Sequence, residues 1–153
     1  MGWMHDFIEY MKLDPYFRKF NHSKLTFSMM YAYSENFILV LSHDEVVHLK
    51  CSMLGKMPGD REDKFANLKL GYAYMFGHPG KKLLFMGQEF AQWSEWSEKR
   101  ALDWYLLEDE SHKDIKEFTK KCLHLYKDYP CLANTDYKPE GFRWINANDK
   151  DNS

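Results

Sequence analysis

The chain has 153 residues, enough for one ordinary domain, and 44% of them are hydrophobic, so a sizeable core can form. Its 21 basic and 23 acidic residues are well mixed, and the formal net charge of −2 argues against a nucleic-acid partner. No apolar run approaches the roughly 18 residues of a membrane span, and nothing resembles a signal peptide or a lipidation motif. The scattered cysteines Cys51, Cys122 and Cys131 predict a reducing compartment, the cytoplasm.

The first predicted elements lead to a short strand. Apolar residues at helical spacing predict a helix over 5–11, which stops before Pro15 because the residue preceding a proline avoids the α region. One or two helical turns are expected within 24–34. The continuous apolar run 37–41 is typical of a strand that is buried on both faces, as in parallel sheets.

A helix and a second short strand follow the first strand. Helix signals begin at residues 60–63, apolar side chains then recur at helical spacing, and Gly77 ends the helix. Residues 83–86 form another short apolar run and predict the second strand. It ends at the polar residues Gln88 and Glu89, just as the first strand ends at a polar segment.

The last third of the chain predicts a long loop, a long helix and a further strand. Ser111 and Asp114 resemble a capping box that opens the helix, and Pro130 closes it. Residues 141–145 alternate between polar and apolar side chains, which predicts the first strand of another domain.

The order strand, loop, helix, strand, loop, helix predicts an α/β fold made of two consecutive β/α units with a parallel sheet. Two parallel strands do not make a stable sheet alone, because both faces and both edges need cover. A complete TIM (β/α)8 barrel takes about 250 residues. The sequence therefore predicts a partial barrel.

Candidate functional residues follow the first strand, where His43, Asp44 and Glu45 stand directly after residue 42. In parallel α/β folds, substrates bind at the carboxyl ends of the strands. A zinc motif is not favoured, because His43 and His48 are five residues apart instead of four. A Ser-His-Asp triad within adjacent residues is also unfavourable, since neighbours on an extended chain point to opposite sides.

The pattern instead suits binding of sugar hydroxyls, which donate hydrogen bonds to the carboxylate and exchange them with the histidine ring. Either carboxylate could alternatively cap the following turn, and that interpretation fits Glu45 better than Asp44. The aromatic content of 17% is compatible with packing and with stacking on pyranose rings. Trp93 and Trp96 are the candidates for such stacking, whereas we expect Trp104 to pack its loop onto the fold.

Short motifs stand in order along nearly the whole chain, at residues 1–6, 24–27, 34–37, 42–48, 56–60, 64–68, 78–87, 89–90, 95–96 and 102–104. In this order and spacing they resemble the 1,4-alpha-glucan (glycogen) branching enzymes of the alpha-amylase superfamily, as far as about residue 149. Residues 42–48 and 56–60 favour branching enzymes over amylases and debranching enzymes.

The resemblance implies cleavage of an α-1,4 glucan and transfer of the released chain to a 6-hydroxyl, with retention, without a cofactor and without a metal ion. It implies that Asp44 is the transition-state-stabilising carboxylate and that His43 helps to bind the same sugar. Glu45 is a further candidate for substrate binding. The resemblance further implies that Gln88 lines the sugar site and that Glu89 supports the structure. The family's nucleophile and general acid/base match no residue of this chain.

The resemblance also implies the domain organisation. Residues 1–130 would be the C-terminal portion of the catalytic (β/α)8 barrel, and 131–153 a linker with the first strand of a C-terminal β-sandwich domain. The isolated chain is then expected to be inactive. The alternative is a non-catalytic glucan-binding fragment, or one that completes a barrel with the missing upstream half as its partner.

Two positions depart from the family pattern. Leu49 stands where the family usually has glycine, and Gln88 where it often has asparagine. The leucine would be strained if the backbone there adopts a positive φ.

Overall fold

The computed structural model describes residues 2–152, in which two parallel strands are joined by helices that pack mainly on one face of the sheet. The helices are α1 (Gly2–Met11), α2 (Pro15–Arg18), α3 (Ser23–Thr26), α4 (Met53–Lys56), α5 (Arg61–Gly77), α6 (Glu110–Asp128) and α7 (Pro130–Ala133), and the strands are β1 (Ile38–Leu41) and β2 (Lys81–Leu84). Short 3-10 turns occupy Phe27–Met30, His43–Glu45, Gln88–Phe90, Trp104–Glu108, Pro139–Gly141 and Lys150–Asn152. Among these helices, none is long and apolar enough to cross a membrane.

The parallel pairing of β1 with β2 is confirmed, with Ile38 opposite Lys81 and Leu41 opposite Leu84. The second strand begins two residues earlier than predicted, because its first two residues are lysines that do not belong to an apolar run. The side chain of Lys82 is nevertheless 4% exposed, and its amine donates to the carbonyl oxygens that precede the strand. A lysine with a buried stem and a satisfied amine thus extends the strand.

The two faces of the sheet differ, contrary to the prediction that β1 is buried on both. Leu39 and Leu41 are 4% and 0% exposed and join the core formed with α1 and α5. On the opposite face, Ile38 is 54% exposed and Leu83 is 40% exposed. Residues on a strand alternate between faces, and the described part of the chain covers the face of Leu39 and Leu41 more completely than the other face, where Val40 is only partly buried.

The predicted helices over 5–11 and 60–77 are confirmed as α1 and α5, and the helical turns within 24–34 as α3 and the turn that follows. The start of α5 is a capping box, in which the carboxylate of Asp60 accepts from the backbone N–H of Asp63 and the reciprocal bond is also made. The shorter helices α2, α4 and α7 were not predicted.

The predicted capping box at the start of α6 was wrong. Asp109 is the N-cap, and its carboxylate accepts a hydrogen bond from the backbone N–H of Ser111 at 2.8 Å. The carboxylate of Asp114 instead pairs with Lys69 on α5. The carboxylate of an aspartate two residues upstream accepts this hydrogen bond, and its negative charge is favourable at the N-terminus of a helix.

The segment after α7 contains turns, and no strand forms over 141–145 within the described residues. Phe142 has an extended backbone, with φ −141° and ψ 141°, but the ladder partner that a strand requires is absent from residues 2–152. That strand is therefore not formed in this chain, and its assignment to a β-sandwich domain stays a prediction, as does the partial barrel.

Candidate functional site

The candidate site lies where the two parallel strands end, since the carboxyl ends of parallel strands share one edge of the sheet. The 3-10 turn His43–Glu45 follows β1 after a single residue, and the turn Gln88–Phe90 follows β2. Gly87, with φ 82°, redirects the chain between β2 and its turn. The polar residues predicted for both strand ends therefore lie at the same edge.

His43 and Asp44 lie close together and are open to solvent. The Nε2 atom of His43 is 3.3 Å from Oδ1 of Asp44, and the hydroxyl of Ser42 donates to Oδ2 at 3.2 Å. Both side chains are about half exposed, at 56% and 51%. A histidine and a carboxylate in this arrangement present a donor and acceptor oxygens to a ligand that approaches the strand ends.

Next to them is a groove of about 440 Å³, lined by His43, Val47, His48, Glu95, Trp96 and residues 97–100. His43 and Trp96 are the aromatic residues of the groove. The ring of Phe85, just after β2, contacts both, with its centroid 5.7 Å from that of the His43 ring and 5.2 Å from that of the Trp96 ring. The groove thus combines an aromatic face with carboxylate, imidazole and guanidinium groups, which is the chemistry that suits a sugar.

Glu45 is turned away from this groove. Its side chain is 12% exposed and lies 3.6 Å from Nδ1 of His5 and 3.4 Å from the amine of Lys50. The structure therefore brings His43 and Asp44 together at the open edge and places Glu45 beneath them, against α1.

Gln88 and Trp93, two further predicted site residues, lie outside the groove. Gln88 is 5% exposed, its backbone carbonyl accepts from the hydroxyl of Tyr72 at 2.9 Å, and its side-chain amide has no hydrogen-bond partner among the described residues. Trp93 is 47% exposed and lies over Phe65 of α5, with ring centroids 6.5 Å apart. Of the two predicted stacking residues, Trp96 alone lines the groove.

The backbone from His48 to Cys51 is unusual, because His48, Leu49 and Cys51 have φ values of 56°, 67° and 66°. Leu49 stands where the family usually has glycine, and its backbone does adopt the left-handed conformation in which a leucine is strained. Its side chain is 95% exposed, so no burial offsets the strain.

Glu95 holds this left-handed segment. Its two carboxylate oxygens accept from the backbone N–H groups of Leu49 at 3.1 Å and Cys51 at 2.6 Å. The bond from Cys51, followed by that from Leu49, lowers the pKa of Glu95. Sequence reasoning did not identify this role, although Glu95 belongs to one of the motifs that carry the family resemblance.

A metal-binding role finds no support in the side-chain arrangement. Within residues 2–152, no group of three or more histidine, cysteine, aspartate or glutamate side chains could hold a metal ion.

The sequence of the chain is similar to sequences of known proteins. No protein-family model matches the chain. All 153 residues match the protein named 1,4-alpha-glucan branching enzyme in Butyrivibrio fibrisolvens with 63% identity, and those in Thermosynechococcus vestitus and Rhizobium etli with 57% identity each. The chain spans 24%, 20% and 21% of these three relatives. The family resemblance derived from the short motifs is thereby confirmed.

Proposed function

We propose that this chain, which matches 1,4-alpha-glucan branching enzymes over its whole length, is a segment of such an enzyme and supplies part of its glucan site. The identity of 63% to the Butyrivibrio fibrisolvens protein over all 153 residues is the observation that carries the proposal. The complete enzyme cleaves an α-1,4 glucan and transfers the released chain to a 6-hydroxyl in glycogen synthesis. We place it in the cytoplasm, in keeping with the free thiols of all three cysteines.

Asp44 is the transition-state-stabilising carboxylate in this proposal. A retaining transfer proceeds through a glycosyl-enzyme, and positive charge develops on the sugar as the bond breaks. A carboxylate fixed beforehand next to the sugar hydroxyls lowers the barrier when its hydrogen bonds strengthen in the transition state. The exposed position of Asp44 at the strand end, beside His43, leaves both side chains free to bind one sugar ring.

The remaining candidate residues have less direct roles in this proposal. Trp96 stacks on a glucose unit in the groove, because its ring is a wall of that groove. The buried side chain of Gln88 and the largely buried side chain of Glu45 support the loops beneath the site. Trp93 packs on α5, and its exposed surface is available only to a glucan that extends beyond the groove.

Activity measurements test the proposal. No residue of this chain matches the family's nucleophile or general acid/base, so the purified chain should leave the iodine colour of amylose unchanged. The full-length protein that contains the segment should reduce the colour and form α-1,6 linkages. An Asp44→Asn variant of that protein should lose about 100-fold or more of kcat. Robust branching by the isolated chain, or none by the full-length protein, would overturn the proposal.

A second candidate function is that of a non-catalytic fragment that binds glucan or completes a barrel with a separate upstream half. The uncovered sheet face around Ile38 and Leu83 favours it, because missing strands and helices would cover that face. In a glucan-containing affinity gel, this candidate predicts retardation of the chain that is lost on Trp96→Ala. The Trp93→Ala variant is a matched control, since Trp93 lies outside the groove. Unretarded migration of the unmodified chain would exclude glucan binding by the fragment.

A further inference from the structure

We propose that Glu95 is a positioning residue for Asp44, and that it acts through the backbone of residues 49–51 and the side chain of Lys50. This inference rests on the proposed function, in which Asp44 acts on the glucan. Asp44 follows β1 and Glu95 follows β2, so this route couples the two loops of the site.

The first step of the coupling is the pair of hydrogen bonds from the backbone to Glu95. Leu49 and Cys51 donate to separate oxygens of one carboxylate, and both have a positive φ. Non-glycine residues adopt this conformation only when the surroundings hold them there. The charged carboxylate strengthens both bonds, since charge-assisted hydrogen bonds are about twice as strong as neutral ones.

The second step is the side chain of Lys50, which stands between the two residues that Glu95 binds. Its amine donates to the backbone carbonyl of Asp44 at 2.7 Å and lies 3.4 Å from the carboxylate of Glu45. The carbonyl of Lys50 in turn accepts from the amine of Lys56. Lys50 therefore ties the segment that Glu95 fixes back to the turn that carries Asp44.

The third step is the support of Glu95 itself. The guanidinium of Arg100 donates to the carbonyl of Glu95, and the backbone N–H of Trp96 donates to the carbonyl of Val46 at 3.1 Å. The first contact supports Glu95 within the loop after β2, and the second joins that loop to the loop after β1. A change at Glu95 is therefore transmitted to Asp44 by a continuous set of hydrogen bonds.

Amide hydrogen exchange tests the first step without any assay of activity. In a Glu95→Gln variant, one side-chain oxygen becomes an NH₂ group that cannot accept, so at least one of the two amides at Leu49 and Cys51 should exchange about tenfold faster. A Glu117→Gln variant is the matched control, because Glu117 is an exposed carboxylate on α6 that pairs with Lys120. Unchanged exchange at both amides in Glu95→Gln would overturn the proposal.

Kinetics of the full-length protein test the coupling to Asp44. Since misplacement of a reacting group by about 1 Å can cost about 100-fold in rate, we expect Glu95→Gln and Lys50→Ala each to lower kcat about tenfold or more with little change in KM. Because both act through one route, the double variant should be no slower than the slower single variant. A Lys50→Arg variant keeps a donor and should recover much of the rate.

Glu95 also lines the groove, so direct contact with the glucan is the competing role. That role predicts a raised KM and losses that multiply in the double variant, and either result would overturn the positioning proposal. Absence of branching by the unmodified full-length protein would instead overturn the proposed function, and amide exchange would then decide whether Glu95 holds the loop. Circular dichroism and thermal unfolding establish that each variant is folded.

Discussion

Leu49 is a leucine at a position where the backbone conformation favours glycine. Its φ of 67° lies in the left-handed region, where a residue with a Cβ atom is less stable by about 1–2 kcal/mol. Sequence reasoning located this position from the departure from glycine, and the structure supplies the φ value that makes the departure costly. The hydrogen bond from its N–H to Glu95 contributes to holding this conformation.

We therefore expect Leu49→Gly to raise the free energy of unfolding of this chain by about 1 kcal/mol, because glycine adopts a positive φ without strain. Urea unfolding followed by circular dichroism measures the change.

The control for that experiment is Leu70→Gly, at another exposed leucine but inside α5. Glycine within a helix should lower the free energy of unfolding by about 1 kcal/mol. If both substitutions destabilise the chain to the same extent, the strain at Leu49 is refuted.

Individual residues also show the limits of sequence-based prediction of the site. His43 and Asp44 could be found because they directly follow an apolar run, a local pattern. The role of Glu95 could not, because its partners are 44 and 46 positions away in sequence and meet it only after the loops fold. The burial of Gln88 was missed as well; a partner that it meets only in the folded chain is Tyr72 of α5, whose hydroxyl donates to the Gln88 carbonyl.

Element boundaries depend on charged side chains that an apolar pattern does not reveal. At the start of β2, the buried carboxylate of Asp136 accepts from the backbone N–H of Gly80 at 3.1 Å and lies 3.0 Å from the amine of Lys81 and 3.8 Å from that of Lys82. The hydroxyl of Tyr126 on α6 also donates to it. This carboxylate fastens the segment after α7 to the strand.

Removal of that charge should destabilise the chain strongly. Burial lowers the pKa of Lys82 to about 8, and Asp136 opposes this change by favouring the charged amine. In Asp136→Asn the buried amine loses its counter-charge, so we expect the free energy of unfolding at pH 7 to fall by about 3 kcal/mol. Urea unfolding measures it.

Asp114→Asn is the matched control, because the carboxylate of Asp114 is 67% exposed and pairs with Lys69 at the surface. Exposed ion pairs contribute about 0–1 kcal/mol, so this substitution should have little effect. Equal losses of unfolding free energy in Asp136→Asn and Asp114→Asn would contradict the stabilising role that we assign to the buried carboxylate of Asp136.

At the scale of the whole molecule, the two faces of the sheet are covered to different extents. Ile38 and Leu83 are exposed on one face, whereas Leu41 on the other face is fully buried. The parallel strand pair was predictable because its apolar run and the helix after it are local in sequence. The difference between the two faces was not, since Ile38 and Leu83 stay exposed within the described residues although both belong to apolar runs.

A charge on the uncovered face should be tolerated by the chain alone and harmful in the full-length protein. We expect Ile38→Lys to change the free energy of unfolding of the chain by less than about 0.5 kcal/mol and to raise its soluble fraction, because lysine discourages association at a strand edge. In the full-length protein, a buried lysine without a partner should cost several kcal/mol.

Leu41→Lys is the comparison variant and should unfold the chain in both settings, because Leu41 is 0% exposed. Solubility and thermal unfolding of the two variants in both settings provide the measurements. Equal tolerance of Ile38→Lys in the chain and in the full-length protein would refute the view that this face is covered in the parent protein.

The parallel pairing of β1 and β2 also has a consequence for the order of events during synthesis. Lys81 follows its partner Ile38 by 43 positions. At about 5–20 residues per second, β1 leaves the ribosome roughly 2–9 seconds before the strand that pairs with it. During that interval the residues of β1 lack their partner in β2, so one side of the strand keeps its backbone N–H and C=O groups unpaired for seconds instead of closing at once as a local hairpin would.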